Sequence, residues 1–287
     1  MTEVVKHLAI EHIKRDANHI STKILLREET VDFLSWGDRH YSRCPDLRGF
    51  TGLHCISYMG ITEIAIDMVD MKRWDLNERD SKGATPLIWA AKHGNLALAK
   101  LLLQQAAVDP TLSDKEGLTS LTHAVKAGHE DVDKILLERG DVNPDSPDSD
   151  GRTPLSYAAG SGYEGVAKIL LGREDVNPDS PDSDGQTPLS FAASFGHEGV
   201  VKMLLERRDV NPGSLDGIIW TPLSHAASSG HEGVVNILLE RGDVNPDPRS
   251  WHGQTPLSLA AKEGHEDVVM ILLARGDVNP DSEDDHG

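Results

Sequence analysis

Asp150 to Ser183 reads DGRTPLSYAAGSGYEGVAKILLGREDVNPDSPDS. Pro154 stands where a helix begins, because the first turn leaves its N–H groups unpaired anyway, and the Thr153 hydroxyl can cap that turn. Leu155, Ala158 and Ala159 form the buried side of this short helix, and Gly162 ends it by accepting a left-handed conformation. A second helix follows from about Glu164 to Leu171. Its Val166, Ile169 and Leu170 share one apolar face, with Lys168 and Arg173 left to water. Asp175-Val176-Asn177-Pro178 then leads through a polar turn to the next glycine.

The same phrase returns seven times at an interval of 34 residues: Thr51-Gly52-Leu53, Thr85-Pro86-Leu87, Thr119-Ser120-Leu121, Thr153-Pro154-Leu155, Thr187-Pro188-Leu189, Thr221-Pro222-Leu223 and Thr255-Pro256-Leu257. A period of that length marks a stack of supersecondary units, each too small to bury its own apolar face. Such an architecture offers a binding surface more readily than a catalytic pocket.

Spacing and slot identity make the unit resemble the ankyrin repeat, x-G-x-T-P-L-H-x-A-A-x-x-G-H followed by an apolar helix. The resemblance covers Arg48 to the C-terminus. It implies an all-α solenoid of seven helix-turn-helix units with finger loops, starting near residues 48, 82, 116, 150, 184, 218 and 252. It also implies a concave face of first helices and fingers on which protein ligands bind. The chain departs from the family in places. Fingers such as Asn143 to Gly151 are long and carry Pro144 and Pro147, so a less regular ladder is expected, since proline donates no hydrogen bond. Serine replaces the usual histidine at Ser156, Ser190, Ser224 and Ser258. In the sixth unit Ile218-Ile219-Trp220 replaces a small polar turn.

Residues 1–47 are read as a helical N-terminal cap, with Val4, Val5, Leu8 and Ile13 on one amphipathic segment and Ile20, Ile24, Leu25, Val31 and Leu34 on another. At the other end Asp285-His286-Gly287 arrives in phase with Trp251-His252-Gly253, so the sequence is expected to be part of a longer array. The recurring GHEGVVKMLLERRDVNP phrase and the head around Ile13 to His19 are similar to the ankyrin arrays of fungal NACHT-type signalling NTPases. In that family the array senses a ligand while an upstream NTPase oligomerises.

The formal charge is −19. Lys/Arg and Asp/Glu balance through Arg48, so the excess lies in the repeats, much of it in fingers: Asp145, Asp148, Asp150, Asp179, Asp182, Asp184, Asp281, Glu283, Asp284 and Asp285. This acidity reads either as a solvated rim or as a surface for a basic protein partner. Nucleic acid and anionic membrane are not expected as partners, because phosphate binding needs lysine and arginine. No stretch reaches the roughly 18 apolar residues of a membrane span, and the N-terminus lacks a signal pattern. With only Cys44 and Cys55, reduced thiols and a cytoplasmic or nuclear location are expected.

No cofactor, metal or catalytic residue is expected. Gly160-Ser161-Gly162-Tyr163-Glu164-Gly165 matches a dinucleotide fingerprint in letters but lies between two helices, without the required strand. Asp148-Ser149-Asp150-Gly151 resembles part of a calcium loop, yet Tyr157 stands where a bidentate glutamate belongs. The pairs His129-Glu130, His197-Glu198, His231-Glu232 and His265-Glu266 are one repeat apart and cannot converge on one catalytic site, so a structural role is expected.

Recognition then falls to the slots that packing leaves free. The candidate protein-binding residues of the concave groove and fingers are Phe50, Tyr58, Met59, Lys92, His93, Lys126, Arg152, Gln186, Phe195, Trp220, Trp251 and Gln254. Aromatic and arginine side chains anchor interfaces, so Trp220, Trp251 and Phe195 form the preferred hot spot. Trp220 could instead fold onto its own finger. Trp89, Tyr157 and Phe191 are divided between packing and the groove. The expected function is a non-catalytic protein-recognition module, a monomer unless its last repeat self-associates. A structural spacer is the alternative, and an enzyme or small-molecule binder using the groove a remote one.

Overall fold

The structure is a computed structural model that describes residues 51–62, 65, 66, 69 and 74–282. The expected helical cap, Phe50, Cys44 and the acidic residues Glu283 to Asp285 lie outside the described residues. Thirteen helices are described: α1 Gly52–Met59, α2 Pro86–Lys92, α3 Leu96–Leu103, α4 Ser120–Ala127, α5 Glu130–Leu137, α6 Pro154–Ser161, α7 Glu164–Leu171, α8 Pro188–Ser194, α9 Glu198–Glu206, α10 Pro222–Ser228, α11 Glu232–Leu239, α12 Pro256–Glu263 and α13 Glu266–Leu273. Among the described residues the β pairing is an isolated bridge between Ser113 and Thr119. No described helix is long and apolar enough to cross a membrane.

Helix pairs arise for local reasons. From Thr85 to Thr255 each repeat's threonine is extended, and its hydroxyl accepts the N–H three residues on, as Thr153 does from Ser156 at 3.3 Å. Proline opens five of these first helices, α2, α6, α8, α10 and α12. In the first repeat His54 fills the position of the later serines. Its Nδ1 lies 3.1 Å from the Thr51 N–H and 2.8 Å from Oγ1, while Nε2 lies 3.0 Å from the Ala84 carbonyl of the next repeat. Serine is too short for that reach, and Ser156, Ser190 and Ser224 pair with their own threonine hydroxyls at 3.1–3.2 Å.

Two compact units divide the chain, residues 1–142 and 143–287. In the first, α1, α2 and α4 pack side by side, with α3 against α5 as a second layer. In the second, α6, α8, α10 and α12 form one layer and α7, α9, α11 and α13 the other. Each core runs between its layers. In the second unit it is built from Leu155, Leu189 and Leu223, the alanine pairs beside them, and Val166, Val200 and Val234, all fully buried. The sequence placed Ile169 on the buried face of α7, whereas the packed face is Val166, Ala167, Leu170 and Leu171 and Ile169 is half-buried.

Glycine after the first helix is required twice over. Gly162, Gly196 and Gly230 have φ of 71°, 76° and 74°. A Cβ on them would also lie 2.5–2.6 Å from Nδ1 of His197, His231 and His265 in the following repeat. Those imidazoles bridge repeats: their Nε2 atoms lie 3.0–3.1 Å from the carbonyls of Gly160, Ser194 and Ser228. The recurring histidine is therefore a joint between neighbours.

A second joint was not anticipated. Arg207, Arg241 and Arg275 each reach back to the last-turn carbonyl of the preceding second helix, at Leu171, Leu205 and Leu239, over 2.8–2.9 Å. Each also forks onto an aspartate two residues on, and Arg139 does the same in the first unit, bonding Leu103 and Asp141. Arg173, expected to stay wet, is half-buried and grips Asp175. Orphaned carbonyls at a helix end are thus satisfied by a guanidinium, which also favours the negative end of the helix dipole.

Candidate functional site

Fingers are shaped by one aspartate each. In Asp80, Asp114, Asp148, Asp182 and Asp216, Oδ1 accepts the N–H groups two and four residues on, at 2.8–3.0 Å. Ser250 does this in the seventh repeat at 3.3 and 3.1 Å. Neighbouring fingers are joined by a backbone bond, Lys115 N–H to Lys82 in the first unit, then Ser183 to Asp150 and Gly217 to Asp184 in the second. Part of the acidic rim is thus committed to holding turns.

The other carboxylate oxygen faces the slot nine residues on. Asp80 accepts from Trp89 Nε1 at 2.9 Å, Asp114 lies 2.8 Å from His123 Nε2, Asp148 accepts a short bond from the Tyr157 hydroxyl, and Asp216 lies 2.8 Å from His225 Nε2. Burial and the Asp148 carboxylate together push the Tyr157 phenol above its ordinary range. Trp89 and Tyr157, left between packing and the groove by sequence, are therefore buttresses of their own fingers. Phe191 has no polar atom to offer. There Arg152 substitutes: its Nε lies 3.4 Å from Asp182 Oδ2 and its guanidinium sits 5.2 Å from the Phe191 ring centre.

The candidates of the first unit gather. Tyr58 meets Trp89 edge-on at 5.8 Å and His93 at 4.6 Å; Trp89 and His93 stack at 5.5 Å, and Lys92 lies 5.5 Å from the Trp89 ring centre. Desolvation of the stacked ring, then the neighbouring Lys92 ammonium, push the His93 imidazole down to about 4, so it is neutral at physiological pH. Met59 is half-buried beside this cluster in sequence, and Lys126 is exposed.

In the second unit the candidates separate into supported and unsupported side chains. Arg152, Gln186, Trp220 and Gln254 are half-buried. The Trp220 ring lies 5.2 Å from His225, covering the Asp216–His225 pair of its own repeat. Phe195 and Trp251 are 58% and 74% exposed. Phe195 leans over the bare Cα of Gly160, where a Cβ would come within 3.8 Å of its ring, and stacks on His197 at 6.4 Å.

Sequence reasoning passed over Leu215 and, while marking Ile218-Ile219-Trp220 as an unusual turn, left Ile218 out of the candidates; the two are 54% and 52% exposed on the sixth finger. The signal was present, since Leu215 stands where Pro147 and Pro181 stand, and Ile218 where Asp150 and Asp184 stand. Beside them Ile219 has φ 63°, the one non-glycine positive φ among the described residues, in the slot that Gly83, Gly117, Gly151, Gly185 and Gly253 fill elsewhere. A β-branched residue there is strained.

Among the described residues no group of three or more histidine, cysteine, aspartate or glutamate side chains is arranged to hold a metal ion. A search of curated proteins finds no significant match. The family model described as ankyrin repeats (3 copies) matches residues 3–114, 53–146, 105–182, 141–216 and 209–284, overlapping spans that cover nearly the whole chain. Together with the helix pairs and fingers, this shows that the chain belongs to the ankyrin-repeat family.

Proposed function

We propose that the chain recognises a protein partner through the first-helix and finger side chains of its second unit, and that it does so as the sensor array of a larger signalling protein in the cytoplasm. Ankyrin repeats generally mediate protein–protein interaction. One observation carries the finer reading: Phe195 and Trp251 are exposed large side chains that the repeat scaffold does not need. Their counterparts, Ser229 and Ser183, are small in repeats that fold the same way. Desolvating such rings supplies binding energy without weakening the fold.

The test is a quantitative pull-down from cytosolic extract with the parent and with a Phe195→Ala, Trp251→Ala variant shown by circular dichroism to be folded. A protein captured by the parent and lost from the variant supports the reading, and equal capture or none refutes it.

A further inference from the structure

We infer that the fingertips of repeats four to seven bind an extended segment of a partner protein in which lysine or arginine residues, spaced by three, lead into one large apolar anchor. This rests on the recognition reading above and names the partner's chemistry and its place on the surface. Register supplies the argument. The bonds Ser183 N–H to Asp150 and Gly217 N–H to Asp184 set fingers side by side so that Asp150, Asp184 and Ile218 occupy one row. Both aspartates are exposed, Ile218 is 52% exposed, and Trp251, in the finger slot that follows Gly217, is 74% exposed. The row therefore changes from anionic to apolar along its length. A ligand complementary to it must change from cationic to apolar in the same direction.

Spacing follows from the same geometry. Packed helices lie about 10 Å apart and carry their fingers at that interval, while an extended chain advances about 3.3 Å per residue. One finger therefore matches about three ligand residues, giving a pattern of Lys/Arg-x-x-Lys/Arg-x-x-apolar in one chain direction. The backbone bond that ties the neighbouring fingers, Ser183 N–H to Asp150 and Gly217 N–H to Asp184, is not made from Trp251 N–H to Ile218, so the sixth and seventh fingertips are not tied together at the apolar end of the row. Ile219, strained beside the anchor, keeps an apolar side chain where five other fingers use glycine, the kind of local cost that collects at ligand sites.

The experiment selects random twelve-residue peptides displayed on phage against the full chain. The reverted variant Ile218→Asp, Trp251→Ser carries the residues of the sibling fingers at Asp184 and Ser183, so it retains the finger fold. Enriched peptides are expected to show basic residues three apart beside an aromatic or aliphatic residue. Their synthetic forms should bind the reverted variant at least about tenfold more weakly, and should weaken severalfold from about 0.05 to 0.5 M salt as exposed charges are screened. Asp150→Lys, Asp184→Lys should weaken the same peptides with the anchor intact, which keeps the test decisive if the first variant misfolds. No enrichment, peptides without basic residues, or equal binding to the variants would overturn the inference. Peptides lost on Phe195→Ala but kept by the reverted variant would sink the fingertip site and leave the recognition reading standing.

Discussion

Asp133 offers the sharpest test of the packing. It lies in α5 with no exposed surface, and neither carboxylate oxygen has a hydrogen-bond partner. Other repeats place Ala99, Ala167, Val201 and Val235 in this slot, all fully buried. Burial first, then the neighbouring Glu130 charge, push the Asp133 carboxyl from 3.8 up to about 8, and Lys134 opposes this only in part. The folded state thus holds a proton that the unfolded chain releases above about pH 4. Between these values the folded state binds more protons, so stability falls as pH rises and levels off above about pH 8. At 1.36 kcal/mol per pH unit, the loss from this group between pH 5 and 7 is about 2.5 kcal/mol, and the total at pH 7 is about 4 kcal/mol. Denaturant unfolding of the parent and of Asp133→Asn and Asp133→Val, followed by circular dichroism at pH 5, 6 and 7, isolates the effect, because shared titrations cancel in the difference. Both variants should gain on the parent by the same amount as pH rises, with valine the more stable of the two at every pH, since asparagine still buries an unsatisfied amide. Parallel stability curves, or a parent that gains on its variants towards pH 7, would refute the reasoning.

Further substitutions probe the joints and the fingers at three places. Ile219→Gly removes a left-handed β-branched residue and should stabilise by about 1 kcal/mol after glycine's own entropy cost; a lower melting temperature would show that the Ile219 side chain contributes more by packing than its backbone loses. Gly196→Ala combines a φ of 76° with a Cβ 2.6 Å from His231 Nδ1, so it should cost more than His231→Ala, which gives up the Ser194 bond for about 1–2 kcal/mol; the reverse order in thermal melts would contradict the joint. Phe191→Tyr should give Asp182 the hydroxyl that Asp148 has from Tyr157, and Arg152→Ala should then cost less than in the parent, by under about 1 kcal/mol for so exposed a guanidinium. A double-mutant cycle showing no coupling would refute the substitution of one buttress for another.

The fold was legible because each repeat states its own punctuation. Thr153-Pro154, Gly162 and the Glu164 to Leu171 helix stand where local rules put them, since capping, proline and left-handed glycine act within a few residues. Links between repeats were harder to read. The contacts from His197 to Gly160 and from Arg207 to Leu171 span 37 and 36 residues, and nothing near either residue names its partner. The recurring Arg-x-Asp of Arg139-Gly140-Asp141, Arg173-Glu174-Asp175 and Arg207-Arg208-Asp209 was the available clue, because an exposed arginine has no need of a fixed neighbour. In the candidate site, slot arithmetic found the right positions but could not rank them. Trp220 and Trp251 look alike as letters, yet one covers the Asp216–His225 pair and the other stands in solvent. Tyr58, Lys92 and His93 were separate candidates until packing brought them onto Trp89.

The central claim is that this chain separates residues that hold the repeats from residues that meet a partner. The most direct test measures stability and capture on the same proteins: the parent, Phe195→Ala with Trp251→Ala, and Trp220→Ala alone. The account predicts that the double variant melts with the parent, within the roughly 0.5 kcal/mol expected of surface changes, and loses the captured protein, while Trp220→Ala lowers the melting temperature. A double variant that melts early, or one that keeps its partner, would contradict it.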